Sequence, residues 1–158
     1  MTKTISKNVL LGLFLLFVSN KAFSHCQVPC GIYEDSLRIE LISEHISTIE
    51  KAMNQINDLS KKGEQNYNQI IRWVNNKEIH ATKIQKIVSE YFLYQRIKPV
   101  EKSNHHYAMY VQNLESLHHI SVYAMKAKQT TDLSNVARLR ELVQQFSDNY
   151  FHEHSHEH

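Results

Sequence analysis

Turn-forming residues are scarce in this chain of 158 residues, which contains only 3 glycines and 2 prolines. A β-sandwich or β-barrel needs a turn every few residues, so this scarcity argues against an all-β fold. The three glycines, Gly12, Gly31 and Gly63, are too far apart to form a glycine-rich phosphate-binding loop. The formal net charge is only +2 and the basic residues form no stripe, so we expect no nucleic-acid partner.

The composition is otherwise that of a soluble globular protein. Apolar residues make up 42% of the chain and charged residues 22%, which is enough apolar material for a buried core. A chain of this length forms one domain by default.

Residues 1–24 have the pattern of a secretory signal peptide. Lys3 and Lys7 precede an apolar run of ten residues, 9–18, and Ala22-Phe23-Ser24 is a small-x-small cleavage site. Ten apolar residues are too few to span a bilayer, so an uncleaved N-terminal anchor is the less favoured alternative. Cleavage after Ser24 predicts an exported protein, periplasmic or secreted, that is nearly neutral and has no membrane partner.

The remaining sequence predicts an all-α fold, an antiparallel four-helix bundle over residues 35–151. Apolar residues recur at spacings of three and four, which is typical of helices with one buried face. The predicted helices cover about 35–60, 64–95 and 104–128, and a fourth begins near Asp132, a good N-cap. The predicted buried stripes include Tyr67 and Ile71 on the second helix. On the first helix they include Leu37, Ile42, Ile46, Ile49, Met53 and Ile56, and on the fourth Leu133, Val136, Leu139, Leu142, Val143 and Phe146.

The C-terminal segment 152–158 (HEHSHEH) is of low complexity, and we expect it to be disordered. Four histidines alternate there with other polar residues: His152, His154, His156 and His158. They are candidates for a weak auxiliary site that gathers Ni(II) or Zn(II). An expression tag is the alternative interpretation, but tags are usually unbroken runs of histidine.

Chemically reactive groups concentrate at the predicted mature N-terminus. Cleavage after Ser24 makes His25 the first residue, followed by Cys26 and, four residues later, Cys30. An α-amine, an amide nitrogen and two thiolates can lie in one plane around a metal, a tetragonal site that suits Ni(II) or Cu(II). Zinc prefers a tetrahedral arrangement. The alternative is a Cys26–Cys30 disulfide, which export would permit. The histidine at the cleavage point favours the metal site.

The pattern H-C-x-x-P-C-G-x-Y resembles the nickel hook of nickel-containing superoxide dismutases. Its matching residues are His25, Cys26, Pro29, Cys30, Gly31 and Tyr33. Four further segments are similar to the marine-type branch of that family: 68–74, 77–81, 91–99 and 124–129. The resemblance therefore extends from His25 to about Tyr150.

This resemblance implies a four-helix-bundle subunit with a hook at residues 25–34, assembled into a homohexamer with one nickel ion per subunit. The implied activity converts superoxide to oxygen and hydrogen peroxide by Ni(II)/Ni(III) cycling. The implied ligands are the amine and imidazole of His25, the amide and thiolate of Cys26, and the thiolate of Cys30. Tyr33 would orient the substrate or a water near the metal.

A carboxylate and an arginine support the histidine imidazole in this family. Glu40 is the candidate carboxylate. The family's arginine corresponds to His80 here, which leaves His80, Glu78 or Arg72 as the third partner of the His25 imidazole. Some such partner is expected, because an axial imidazole needs a hydrogen bond to fix its tautomer and orientation.

Two other functions are compatible with parts of the pattern. An exported nickel or copper carrier without catalysis would use the same hook and tail, but it would not need Tyr33 or the segments shared in the second helix. A disulfide-capped helical adaptor would leave His25 unexplained. The enzyme is therefore favoured, with Lys98 and Arg96 as candidate cations that attract the anionic substrate.

Overall fold

The structure is a computed structural model that describes residues 31–62 and 64–154. The chain divides into two units, Met1–Gly31 and Ile32–His158, and the fold described below is that of the second unit. The predicted leader 1–24, the hook residues 25–30 and the end of the tail, 155–158, lie outside the described residues.

Four helices form the described part of the chain. Helix α1 covers Asp35–Ser60, α2 covers Tyr67–Lys86, α3 covers Tyr107–Gln129 and α4 covers Leu133–His154. A short 3₁₀ helix, Glu64–Asn66, precedes α2, and a π-helix, Ile87–Arg96, continues it. The described residues contain no strand, and the all-α prediction is confirmed.

Contacts between the helices show an antiparallel arrangement. Asp35 at the start of α1 bonds to Arg96 at the end of the π-helix. Gln85 in α2 donates to the Ser121 carbonyl in α3, and Lys77 donates to that of Ala127. Consecutive helices therefore pack against each other, and α4 also packs against α1, as in a four-helix bundle.

The core lies between the four helices. On α1 the buried side chains recur every three or four residues, at Ile42, Ile46, Ile49, Met53 and Ile56. The largest fully buried side chains of the other helices include Phe92, Leu117, Ile120, Leu139, Phe146 and Tyr150. The predicted periodicity of α1 and α4 thus corresponds to the buried faces.

The predicted second helix differs from the observed one in two respects. It is not a single α-helix, because its last ten residues follow π geometry. Its first turns also contain no fully buried residue before Lys77, and Tyr67 and Ile71 are each 59% exposed. The buried Lys77 donates hydrogen bonds to carbonyl groups at the end of α3. Because α2 and α3 are antiparallel, the turns of α2 before Lys77 extend beyond the end of α3. Leu37, 44% exposed, is likewise not in the core.

The ends of the helices have identifiable causes. The Asp132 carboxylate accepts a hydrogen bond from the Ser134 amide at 2.9 Å, which confirms the predicted cap of α4. The backbone of α4 stays helical to His154, three residues into the tail predicted to be disordered. None of the described helices combines the length and hydrophobicity that crossing a membrane requires.

Candidate metal centre and its surroundings

The predicted nickel ligands His25, Cys26 and Cys30 lie outside the described residues, which begin at Gly31. Among residues 31–62 and 64–154, no three His, Cys, Asp or Glu side chains come together to hold a metal ion. Both cysteines of the chain lie in the predicted hook. The donor set fits nickel, because thiolate and amine ligands in one chelate suit a tetragonal ion.

Gly31 directly follows the last predicted ligand, Cys30. Its φ angle is +75°, in the left-handed region that other residues adopt only at a cost. Glycine adopts this conformation without the steric cost that a side chain would add.

The carboxylate of Asp35, at the first turn of α1, is the centre of a polar cluster. It accepts hydrogen bonds from the hydroxyl groups of Tyr91 at 2.5 Å and Tyr150 at 2.8 Å. Arg96 donates from Nε at 2.8 Å and from a terminal guanidinium nitrogen at 2.7 Å. The cluster joins α1 to the π-helix and to the end of α4. We call Asp35, Tyr91, Arg96 and Tyr150 the Asp35 cluster.

Burial and hydrogen bonding set the charges in the Asp35 cluster. Burial opposes ionisation of Asp35, but the hydrogen bonds from Arg96, Tyr91 and Tyr150 outweigh it and hold its pKa below the ordinary 3.8. Burial, together with the hydrogen bond to Asp35, raises the pKa of Tyr91 to about 12. Burial and Asp35 also raise the pKa of Tyr150. The cluster is therefore an ion pair with two neutral phenols at neutral pH.

Tyr33 rests on the Asp35 cluster. The guanidinium carbon of Arg96 lies 4.5 Å from the centroid of the Tyr33 ring, a cation–π contact. The Tyr33 ring also meets Tyr91 edge to face, with centroids 6.0 Å apart. The Tyr33 side chain remains 39% exposed. The predicted catalytic tyrosine is thus held from one side and open to solvent on another.

A second arginine lies on the other side of this aromatic group. The guanidinium carbon of Arg38 is 4.9 Å from the centroid of Tyr91, and its Nε is buried without a hydrogen-bond partner. Within the described part of the chain, no carboxylate pairs with Arg38, whereas Arg96 is paired with Asp35. The positive charge of Arg38 is therefore the less neutralised of the two.

The structure does not bring Glu40 and His80 into contact with each other. Glu40 is exposed and lies with Ser43 and Glu44 along an open groove on α1. His80 is half-buried and meets His45 of α1, with their Nδ1 atoms 3.1 Å apart. Burial lowers the pKa of both imidazoles, so the pair shares one hydrogen bond in its neutral form.

The other two candidates for the third partner have different surroundings. Glu78 lies 3.6 Å from the buried ammonium group of Lys77. Arg72 is exposed and has no ion pair among the described residues. Their roles, and that of Glu40, stay predictions.

The Asp35 cluster and the contact of His45 with His80 were not predicted from the sequence. The segment 91–99, which contains Tyr91 and Arg96, carries part of the family resemblance, and Arg96 was predicted only as a cation that attracts the substrate. Nothing in the spacing indicated that Asp35 would meet Tyr150, which is 115 residues away along the chain.

A comparison with protein families identifies one family for this chain. The model of the family described as nickel-containing superoxide dismutase matches residues 20–154, most of the chain. No curated protein and no solved structure gives a significant match. The chain belongs to the nickel-containing superoxide dismutases. It is an oxidoreductase that acts on superoxide and uses nickel as its cofactor.

Proposed function

We propose that the dismutation of superoxide takes place at the processed N-terminus, where the predicted hook holds one nickel ion per subunit. The observation that carries this proposal is the range of the family match, which begins at residue 20 and so includes the hook together with the bundle. The fixed position of Tyr33, three residues after Cys30, supports it. The overall reaction consumes two superoxide ions and two protons and releases oxygen and hydrogen peroxide.

Each hook residue has a separate task in this proposal. The amine of His25, the amide and thiolate of Cys26 and the thiolate of Cys30 bind the metal. Nickel, when bound, supplies one-electron redox chemistry that strong thiolate donation makes accessible. Tyr33 presents its hydroxyl to the substrate or to a water beside the hook.

We assign the support of the His25 imidazole to His80, with Glu40 as the second candidate group. His80 is the favoured third partner because it is half-buried and oriented by His45. A ligand imidazole oriented by a second, fixed side chain is a common arrangement in metal sites. Glu78 is already engaged by Lys77, which makes it the weaker candidate.

Export, assembly and the tail complete the proposal. The leader-like residues 1–24 support export to the periplasm or beyond, where removal of the leader would free the His25 amine. Assembly into a homohexamer is supported by apolar side chains that one subunit leaves exposed, Tyr67, Ile71 and Ile79 among them.

Deleting 152–158 should slow nickel loading at limiting metal and leave the activity per bound nickel unchanged. Unchanged loading would contradict a metal-gathering tail.

The decisive experiment compares two nickel-treated chains, one beginning at His25 and one retaining Ser24 before it. We expect superoxide dismutase activity only in the first, because Ser24 would convert the amine into an amide. If both chains are inactive and the first still binds nickel, the protein is a carrier. Equal activity in both chains would show that the amine is not a ligand.

A further inference from the structure

The Asp35 cluster depends on the π-helix at the end of α2. Each backbone hydrogen bond in a π-helix joins residues five apart, and in this wider helix such residues lie on the same side. The amide of Ile97 donates to the carbonyl of Phe92 at 2.9 Å in this pattern. Tyr91 and Arg96 are also five residues apart, and both reach Asp35. In an ordinary α-helix, where three or four residues separate neighbours on one face, they would diverge.

The guanidinium group of Arg96 makes two kinds of contact. It donates to both oxygens of Asp35 in a forked ion pair. Its central carbon also lies over the ring of Tyr33, 4.5 Å from the centroid. The Arg96 and Asp35 side chains are only 23% and 13% exposed, so this ion pair has little freedom to move. The position of Tyr33 is thus linked to that of Asp35 through Arg96.

We propose that Arg96, held by its ion pair with Asp35, is a positioning residue that holds Tyr33 in its working orientation. This inference rests on the proposed function for its catalytic consequence, and on the described contacts for its structural one. Arg96 then acts through the Tyr33 ring and does not itself touch the substrate. The charge of Arg96 is balanced by Asp35, which makes it a poor guide for superoxide.

A proton-relay role for the same cluster fits the structure less well. Both oxygens of Asp35 already accept hydrogen bonds, and the carboxylate holds no proton to give. Tyr91 and Tyr150 keep their protons more firmly than free phenols do. A fixed support is therefore the role that the geometry and the protonation states both favour.

A double-mutant cycle tests the proposal in the nickel-loaded chain that begins at His25. We expect Arg96→Met to lower kcat/KM per bound nickel by about tenfold, since a misplacement of about 1 Å can cost up to a hundredfold. In a Tyr33→Ala background the same substitution should have no further effect. Equal losses in both backgrounds, or no loss in either, would overturn the proposal.

Two further variants distinguish a loss of the contact between Arg96 and Tyr33 from a general loss of folding. Arg96→Lys keeps a positive charge beside Asp35 but lacks the flat face and the fork, so we expect a smaller loss, about threefold. Arg140→Met is the matched control, because it removes a second arginine pair that joins two helices, with Glu50 at 3.0 Å. It should leave kcat/KM unchanged. A loss in this control as large as that in Arg96→Met would also count against a specific role.

A readout independent of activity separates this inference from the proposed function. In the metal-free chain, the NMR shifts of the Tyr33 ring protons should change in Arg96→Met and stay constant in Arg140→Met. If the native chain binds nickel without dismutating superoxide, the proposed function fails, and these shifts still decide whether Arg96 holds Tyr33. Unchanged Tyr33 shifts in Arg96→Met would refute the inference even in an active enzyme.

Discussion

Helix α1 makes two polar contacts of opposite character, one with the π-helix and α4 and one with α2. At one end, Asp35 accepts hydrogen bonds from Arg96 and from two tyrosines, and every member of the cluster keeps its charge state at neutral pH. Ten residues further along α1, His45 meets His80 through one contact of 3.1 Å between two nitrogens. The Asp35 carboxylate has several hydrogen-bond partners and stays ionised at neutral pH. The contact between His45 and His80 instead depends on a single shared proton. Tyr33 rests on the first contact.

Removing the centre of the first contact should have the largest effect. We expect Asp35→Ala to lower the free energy of unfolding by about 3 kcal/mol, because it leaves Arg96 without its counter-charge and two phenols without their acceptor. Urea unfolding of the metal-free chain measures this. Asp58→Ala is the control. The side chains of Asp58 and its partner Lys61 are 61% and 76% exposed, so this ion pair contributes at most about 1 kcal/mol. Equal losses in the two variants would show that the Asp35 cluster is not a stabilising centre.

The histidine pair should respond to mild acid. Burial lowers the pKa of His45 and His80 below the ordinary 6.5. The charge of His80 lowers the pKa of His45 further, Lys83 lowers both, and Glu44 partly opposes this at His45. The unfolded chain therefore takes up protons that the folded pair refuses, so the free energy of unfolding falls as pH drops below about 6.5. We therefore expect the free energy of unfolding to be lower at pH 5 than at pH 7, as measured by urea unfolding at the two pH values.

Variants isolate this pair from the other histidines of the chain. His80→Asn should remove most of the difference in unfolding free energy between pH 7 and 5, while His118→Asn, at an exposed position, should retain it. The Asp35 cluster should not contribute in this range. Its carboxylate has a lowered pKa, so its stabilisation is lost only as pH falls below the ordinary 3.8. An equal pH response in the two variants would rule out the histidine pair as its source.

The smallest expected effect concerns the two arginines around Tyr91. Arg38 has no carboxylate partner among the described residues, so its charge should attract an anionic substrate more than that of Arg96 does. We expect Arg38→Gln to lower kcat/KM about two- to threefold at low ionic strength and less at high salt, where charges are screened. Arg140→Gln serves as the control. The same salt dependence in Arg38→Gln and the native enzyme would contradict this assignment.

Much of the fold followed from local sequence. The spacing of Ile42, Ile46, Ile49 and Met53 predicted the buried face of α1, because a helix places residues three and four apart on one side. Asp132 predicted the start of α4 through a cap that needs only its own neighbours. The metal chemistry of His25, Cys26 and Cys30 was likewise a local prediction, since these residues are close along the chain.

The contacts around Tyr33 and His80 could not be predicted from the local sequence. Asp35, Arg96 and Tyr150 lie far apart in sequence, and only antiparallel packing places them at one end of the bundle. The same packing decides that His80 meets His45 and that Tyr67 is exposed. The sequence alone determined the helices and the ligand-bearing hook, because periodicity and chelation act over a few residues. The tertiary structure decided what supports Tyr33, because that depends on the register between helices and on the π-helical turn that aligns Tyr91 with Arg96.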